Sequence, residues 1–188
     1  MRFSITLVAA FAAYTIAAPV ASVKRAAVLS NKTYDEISIS GGTAGNAEAE
    51  ALAVFSALNL NDKANGRNPQ TSRYMIPNTN WDPTVDAADI KFLSRVNNIA
   101  NEAEVGAFNP AIEAASGAAK DALAAGKTKN KVLKLVATKL QLEIQAAQGK
   151  DTSAKLAAET KKLNNNIAAD KARAGAASTK LAFAASTA

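Results

Sequence analysis

The stretch Thr128–Gly149, TKNKVLKLVATKLQLEIQAAQG, decides the fold class of this chain. Val132, Leu133, Val136, Leu140 and Ile144 recur at the spacing of helical turns and make one apolar stripe, while Leu135 and Leu142 make a second. A helix apolar along one stripe lies on a core; a helix apolar on two sides has neighbours on both and is central. Gly149 marks its end, because glycine is the usual residue just past a helix C-terminus.

Other helices are read outward from that one. Thr43 is placed to cap a helix running to about Leu58, with Leu52, Phe55 and Leu58 at helical spacing. Asp82-Pro83 reads as N-cap and first residue of a helix reaching about Val105 before Gly106. Asp86 and Asp89 there face the positive end of the dipole, and Val85, Phe92, Val96, Ile99 and Ala103 form the core stripe. Asn109-Pro110 repeats the device for an Ala-faced helix that Gly126 ends after Leu123. A last helix starts near Asp151 or Thr152 and extends towards Phe183, with Leu156, Leu163, Ile167, Ala174 and Leu181 on a narrow line. Tyr34–Ser40 alternates apolar and polar residues before Gly41-Gly42 and reads as one short extended segment. Five helices joined mainly by short loops predict an all-α, Ala-rich up-and-down bundle. Residues 59–83 have no periodicity and read as one long loop.

The start of the chain carries an export pattern. Arg2 precedes an uncharged apolar run, Ile5–Ala18, closed by Pro19. This is the form of a signal peptide, and Thr15 and Ala17 suit a cut before Ala18, so residues 1–17 are read as leader. Lys24-Arg25 resembles the dibasic site of Kex2-type proteases, making 18–25 a pro-segment and 26–188 a single helical domain. Asn31-Lys32-Thr33 is an N-glycosylation sequon near the mature N-terminus. No later segment approaches the roughly 18 consecutive apolar residues of a membrane span.

Composition limits the chemistry. Without residues 1–25 the 188-residue chain is 163 residues long, with 38 alanines and seven aromatics, a balance that favours close-packed helices over sheet. Arg2, Lys24 and Arg25 leave with the leader and no acid does, so net charge falls from +6 to +3. With no cysteine and no histidine, thiolate nucleophiles, Ser-His-Asp systems and nearly all zinc, copper and haem ligation are excluded. No metal and no cofactor is expected. Residues 26–110 hold 6 basic and 10 acidic groups, whereas 111–188 hold 13 basic and 6 acidic.

Four segments resemble a family of small secreted proteins of filamentous fungi: Ser38–Ala51 (SISGGTAGNAEAEA), Phe108–Ala115 (FNPAIEAA), Gly126–Leu135 (GKTKNKVLKL) and Leu163–Gly175 (LNNNIAADKARAG). The resemblance implies export from a fungal cell and a place at the wall, in the medium or at a host surface. It brings no catalytic residue.

Several constellations invite a chemical reading. Ser38–Asn46, with Gly41, Gly42 and Gly45 before a helix, has the look of an anion cradle, but it lacks the Lys-Ser/Thr of a P-loop and the spacing of a dinucleotide fingerprint. A tight turn is expected instead. Residues 61–72 fail as a calcium loop because Lys63 stands at the third ligand position and Ser72, at the twelfth, lacks the bidentate carboxylate. Acid pairs such as Asp86/Asp89 and Glu102/Glu104 are candidates for carboxylate hydrolysis, and the helix dipole accounts for the first. Arg67, Arg73, Tyr74, Met75 and Trp81 in the long loop are types enriched at interaction hot spots; in the competing reading Met75, Ile76 and Trp81 fold back over the Ala-rich core. Lys155, Lys162, Arg173 and Lys180 fall within about 20° of one another on a helical wheel and would form a basic stripe for a polyanion. The expected function is a non-catalytic secreted interaction protein whose partner is a protein or polysaccharide at the wall or host surface, not a nucleic acid. The alternatives are a carrier of a small hydrophobic ligand inside the bundle and a carboxylate-dependent hydrolase.

Overall fold

The computed structural model describes Lys24, residues 26–58 and residues 83–188. It is mostly helical, and its helices pack around one continuous apolar core. In chain order the helices are α1 (Tyr34–Ile37), α2 (Ala47–Val54), α3 (Ala87–Ala103), α4 (Asn109–Ala114), α5 (Gly117–Ala147) and α6 (Ser153–Lys171). A π-helical turn, Glu104–Phe108, joins α3 to α4. Two short strands, β1 (Gly42–Thr43) and β2 (Ala177–Ser178), pair antiparallel, with Gly42 opposite Ser178 and Thr43 opposite Ala177.

The central helix is α5. It is 31 residues long, or about 46 Å at the α-helical rise. Val132, Leu133, Val136, Leu140 and Ile144 are all buried, as are Leu135 and Leu142 of the second stripe. Phe92, Leu93, Val96 and Ile99 of α3 and Leu163 and Ile167 of α6 complete the same core with Phe55 and Phe108. Cutting any of the largest of these to Ala costs about 2–5 kcal/mol, lost transfer energy plus the cavity left behind.

Gly126 does not end a helix. The expected break between two helices is absent, and α5 runs through it, because the glycine serves tertiary contact: a Cβ at Gly126 would lie 2.1 Å from Thr179 O. The C-terminal strap, residues 176–188, crosses α5 at this notch, where Thr179 N–H donates to Ala122 O at 3.0 Å. The last helix is correspondingly shorter than its periodicity suggests. It stops at Lys171, and Gly175, at φ 83°, turns the chain back to pair with β1. From there Phe183 packs edge-on against Tyr34 at 5.9 Å, and Thr187 N–H donates to Lys32 O at 2.8 Å. The strap thus ties both ends of the described chain together.

Three caps also differ from expectation. Tyr34–Ile37 is a helical turn rather than an extended segment: Thr33 and Glu36 make a reciprocal capping box, which outweighs the alternation. The extended backbone follows, at Ser38 and in β1. Helix α3 is capped by Asp86, whose carboxylate accepts from Ala88 N at 2.7 Å, and Pro83 lies in the preceding turn. Asp82 lies outside the described residues. Thr43 belongs to β1; α2 begins after Asn46, whose side chain makes no cap hydrogen bond.

Candidate functional site

The missing cap of α2 is supplied from a distance. Asp170, near the end of α6, is buried, and its Oδ2 accepts from Gly45 N at 3.0 Å and Ala47 N at 2.9 Å. A carboxylate at these free amides is doubly favourable, through hydrogen bonds and through the helix dipole. The loop leading to α2 needs its glycines: Gly42 and Gly45 have φ of 79° and 115°, and a Cβ at Gly45 would lie 2.8 Å from Ala174 Cβ. The tight-turn reading of Ser38–Asn46 therefore describes this loop correctly in its glycines and wrongly in its cap.

Lys129 closes the loop from below. Its side chain is fully buried in the middle of α5, and Nζ donates to Gly41 O at 2.8 Å and Thr43 O at 3.0 Å while pairing with Glu50 Oε2 at 2.7 Å. These three partners match the three donors of an ammonium group. The neighbouring Asn130 is also buried; it accepts from the Tyr34 hydroxyl at 2.8 Å and donates to Ala100 O at 2.8 Å. In the first turn of α3, the buried Asp89 accepts from Val28 N and Leu29 N and holds the N-terminal segment on the helix.

A second charged cluster lies where the π-turn meets α5. Glu104 Oε1 and Oε2 stand 3.8 Å from Lys127 Nζ, 3.2 Å from Lys131 Nζ and 3.1 Å from Lys134 Nζ. Lys134 also donates to Asn101 Oδ1 and Lys127 to Asn109 Oδ1. Burial pushes the Glu104 carboxyl up, but hydrogen bonds and charge from Lys134 and Lys131 outweigh it and hold the group below the ordinary carboxylate value.

The basic stripe does not exist as one line. Lys155 and Lys162 are on α6, Lys162 paired with Glu159 at 2.9 Å, but the helix ends before Arg173. Arg173 sits in the following turn and donates to Thr128 Oγ1, and Lys180 is in the strap and donates to Asp35 O. Of the acid pairs, Asp86 and Asp89 both bind main chain, and Glu104 is held among lysines. Asn31 and Lys24 are exposed. Arg25, the leader and Arg67, Arg73, Tyr74, Met75 and Trp81 lie outside the described residues.

The four segments of the fungal resemblance meet in space. Ser38–Ala51 touches Gly126–Leu135 through Lys129 and Leu163–Gly175 through Asp170, and Asn109 of the remaining segment accepts from Lys127. The sequence profile of a domain of unknown function, DUF8454, matches residues 29–182, most of the chain. The chain belongs to the DUF8454 family. No curated protein and no solved structure matches it. The DUF8454 match begins at Leu29, which Asp89 holds, and takes in both charged clusters.

Lys129 and Asp170 were not singled out by the sequence, since a lone charge within a helix looks the same whether it faces solvent or a distant loop; Asp89 was read as a dipole partner, not as the acceptor of Val28 N and Leu29 N. Lys127, Lys131 and Lys134 did carry a signal, a lysine at i, i+4 and i+7 of one helix, which the break assumed at Gly126 obscured by placing Lys127 in a loop.

Proposed function

We propose that this DUF8454 protein is a secreted, non-catalytic interaction protein working at the fungal cell surface or on a host or polymer target. The observation that carries this reading is the use made of its buried charges. Asp89, Lys129 and Asp170 are all turned onto main-chain groups and hold loops to helices. Catalytic acids and bases instead present a perturbed group to a cleft where substrate sits. The signal-peptide pattern and the dibasic pair support export, and a scaffold tied at both ends by its strap suits a protein that presents a surface. The segment carrying Arg67, Arg73, Tyr74, Met75 and Trp81 is bounded in sequence by the buried Leu58 and the buried Val85. The test is capture from wall and host extracts with the tagged mature protein. Replacing Arg73, Tyr74 and Trp81 by Ala is expected to lose the captured partner with the melting temperature nearly unchanged. Turnover of a polysaccharide by the purified protein would refute the reading.

A further inference from the structure

We propose that the lysine seam of α5 is a binding surface for a carboxylate-bearing polysaccharide, an inference that rests on the reading of the protein as an interaction module. Lys127, Lys131 and Lys134 lie on one side of α5, and the seven steps from first to last cover about 10 Å along the axis. All three reach one acceptor, Glu104. Three ammonium groups against one carboxylate leave the seam with an excess of positive charge.

That excess is partly sheltered. The side chains of Lys127, Lys131 and Lys134 are 26%, 35% and 18% exposed and that of Glu104 is 14% exposed. Like charges held together away from bulk water repel more strongly than on an open surface, so a further anion is favoured here over a scattered lysine. The geometry also shows which anion the donors suit, since a carboxylate already sits among them at 3.1–3.2 Å from two of the lysines. Lys131, the most exposed of the three, has ammonium donors left for an incoming group.

The rim favours a sugar acid over a bare anion. Asn101 and Asn109 each use the side-chain oxygen to accept from a seam lysine, at 3.2 Å and 2.6 Å. Their amide nitrogens remain as donors for hydroxyls beside a bound carboxylate. The π-turn begins at Glu104, and such turns recur at functional sites. It is braced from behind: a Cβ on Gly106 would lie 3.3 Å from the Phe183 ring of the strap.

The experiment measures retention of the mature protein on immobilised polygalacturonate as salt is raised. Wild type should be retained at low salt and released towards about 0.15 M, where screening acts over about 8 Å. Lys127→Gln, Lys131→Gln and Lys134→Gln together should abolish retention, and Lys131→Gln alone should weaken it several-fold without disturbing the fold. Glu104→Gln removes the internal competitor and should strengthen retention several-fold, whereas a purely structural cluster gives no gain. Lys155→Gln with Lys162→Gln should leave retention unchanged. Equal retention of wild type and the triple variant, weaker retention of Glu104→Gln, or equal partition onto phosphatidylserine vesicles would overturn the proposal. A partner captured from extracts by a protein that ignores polygalacturonate overturns this assignment alone; polysaccharide turnover overturns the interaction reading.

Discussion

Replacing Gly126 by Ala puts a methyl group in the path of the C-terminal strap. The added carbon would lie 2.1 Å from Thr179 O and 3.2 Å from the Phe108 ring, where ordinary contact is 3.4–4 Å. The strap must therefore withdraw by about 1 Å, enough to weaken or break the 3.0 Å bond from Thr179 N–H to Ala122 O. Loss of that bond costs about 0.5–1.5 kcal/mol, and overpacking beside Phe108 about 1–3 kcal/mol. Against these stands the better helix propensity of Ala, about 1 kcal/mol. The net expectation is destabilisation by about 2 kcal/mol, a fall in Tm of about 4–8 °C for a domain of this size. A helical glycine facing solvent would give the opposite sign. Thermal unfolding followed by circular dichroism measures the shift, and hydrogen exchange at Thr179 reports the strap directly. An unchanged or raised Tm with Thr179 still protected would refute the reasoning.

Lys129→Met keeps the apolar stem and removes the ammonium, leaving Gly41 O and Thr43 O without their donor; a loss of about 3 kcal/mol is expected in urea unfolding. Glu104 has a folded-state value below the ordinary 4.5, so its contribution is complete above that pH and declines as pH falls through the lowered value. Acid unfolding curves for wild type and Glu104→Gln should accordingly converge as pH falls below 4.5 and through the lowered value, and parallel curves throughout would count against the lysine contacts as the cause. Intact-mass analysis of protein from culture medium should show a chain beginning at Ala26, and Lys24→Ala with Arg25→Ala should give a longer one; a wild-type chain beginning at Ala18 or Pro19 would refute processing at the dibasic pair.

The helical class was legible because its signal is local. The stripes of α5 and α3 repeat over many turns, and each residue's burial follows from its neighbours three and four positions away. The Thr33–Glu36 box is legible in the same local way, but the alternation of Tyr34–Ser40 overlaps it and points to extended backbone instead. The clusters were harder to read. Asp170 and Ala47, Lys129 and Gly41, and Glu104 and Lys131 are separated by many residues, and no periodicity connects them.

By itself, the sequence determined that the chain is helical, that Val132–Ile144 is its central segment, and that chemistry requiring cysteine or histidine is excluded. Local propensity and apolar spacing suffice for these. Only the tertiary structure decided that α5 is one helix through Gly126, that α6 stops at Lys171, and that Asp170 rather than a local side chain caps α2. In each case a local preference was weak, about 1 kcal/mol for a glycine or a cap, and a strap or side chain arriving from elsewhere in the chain outweighed it.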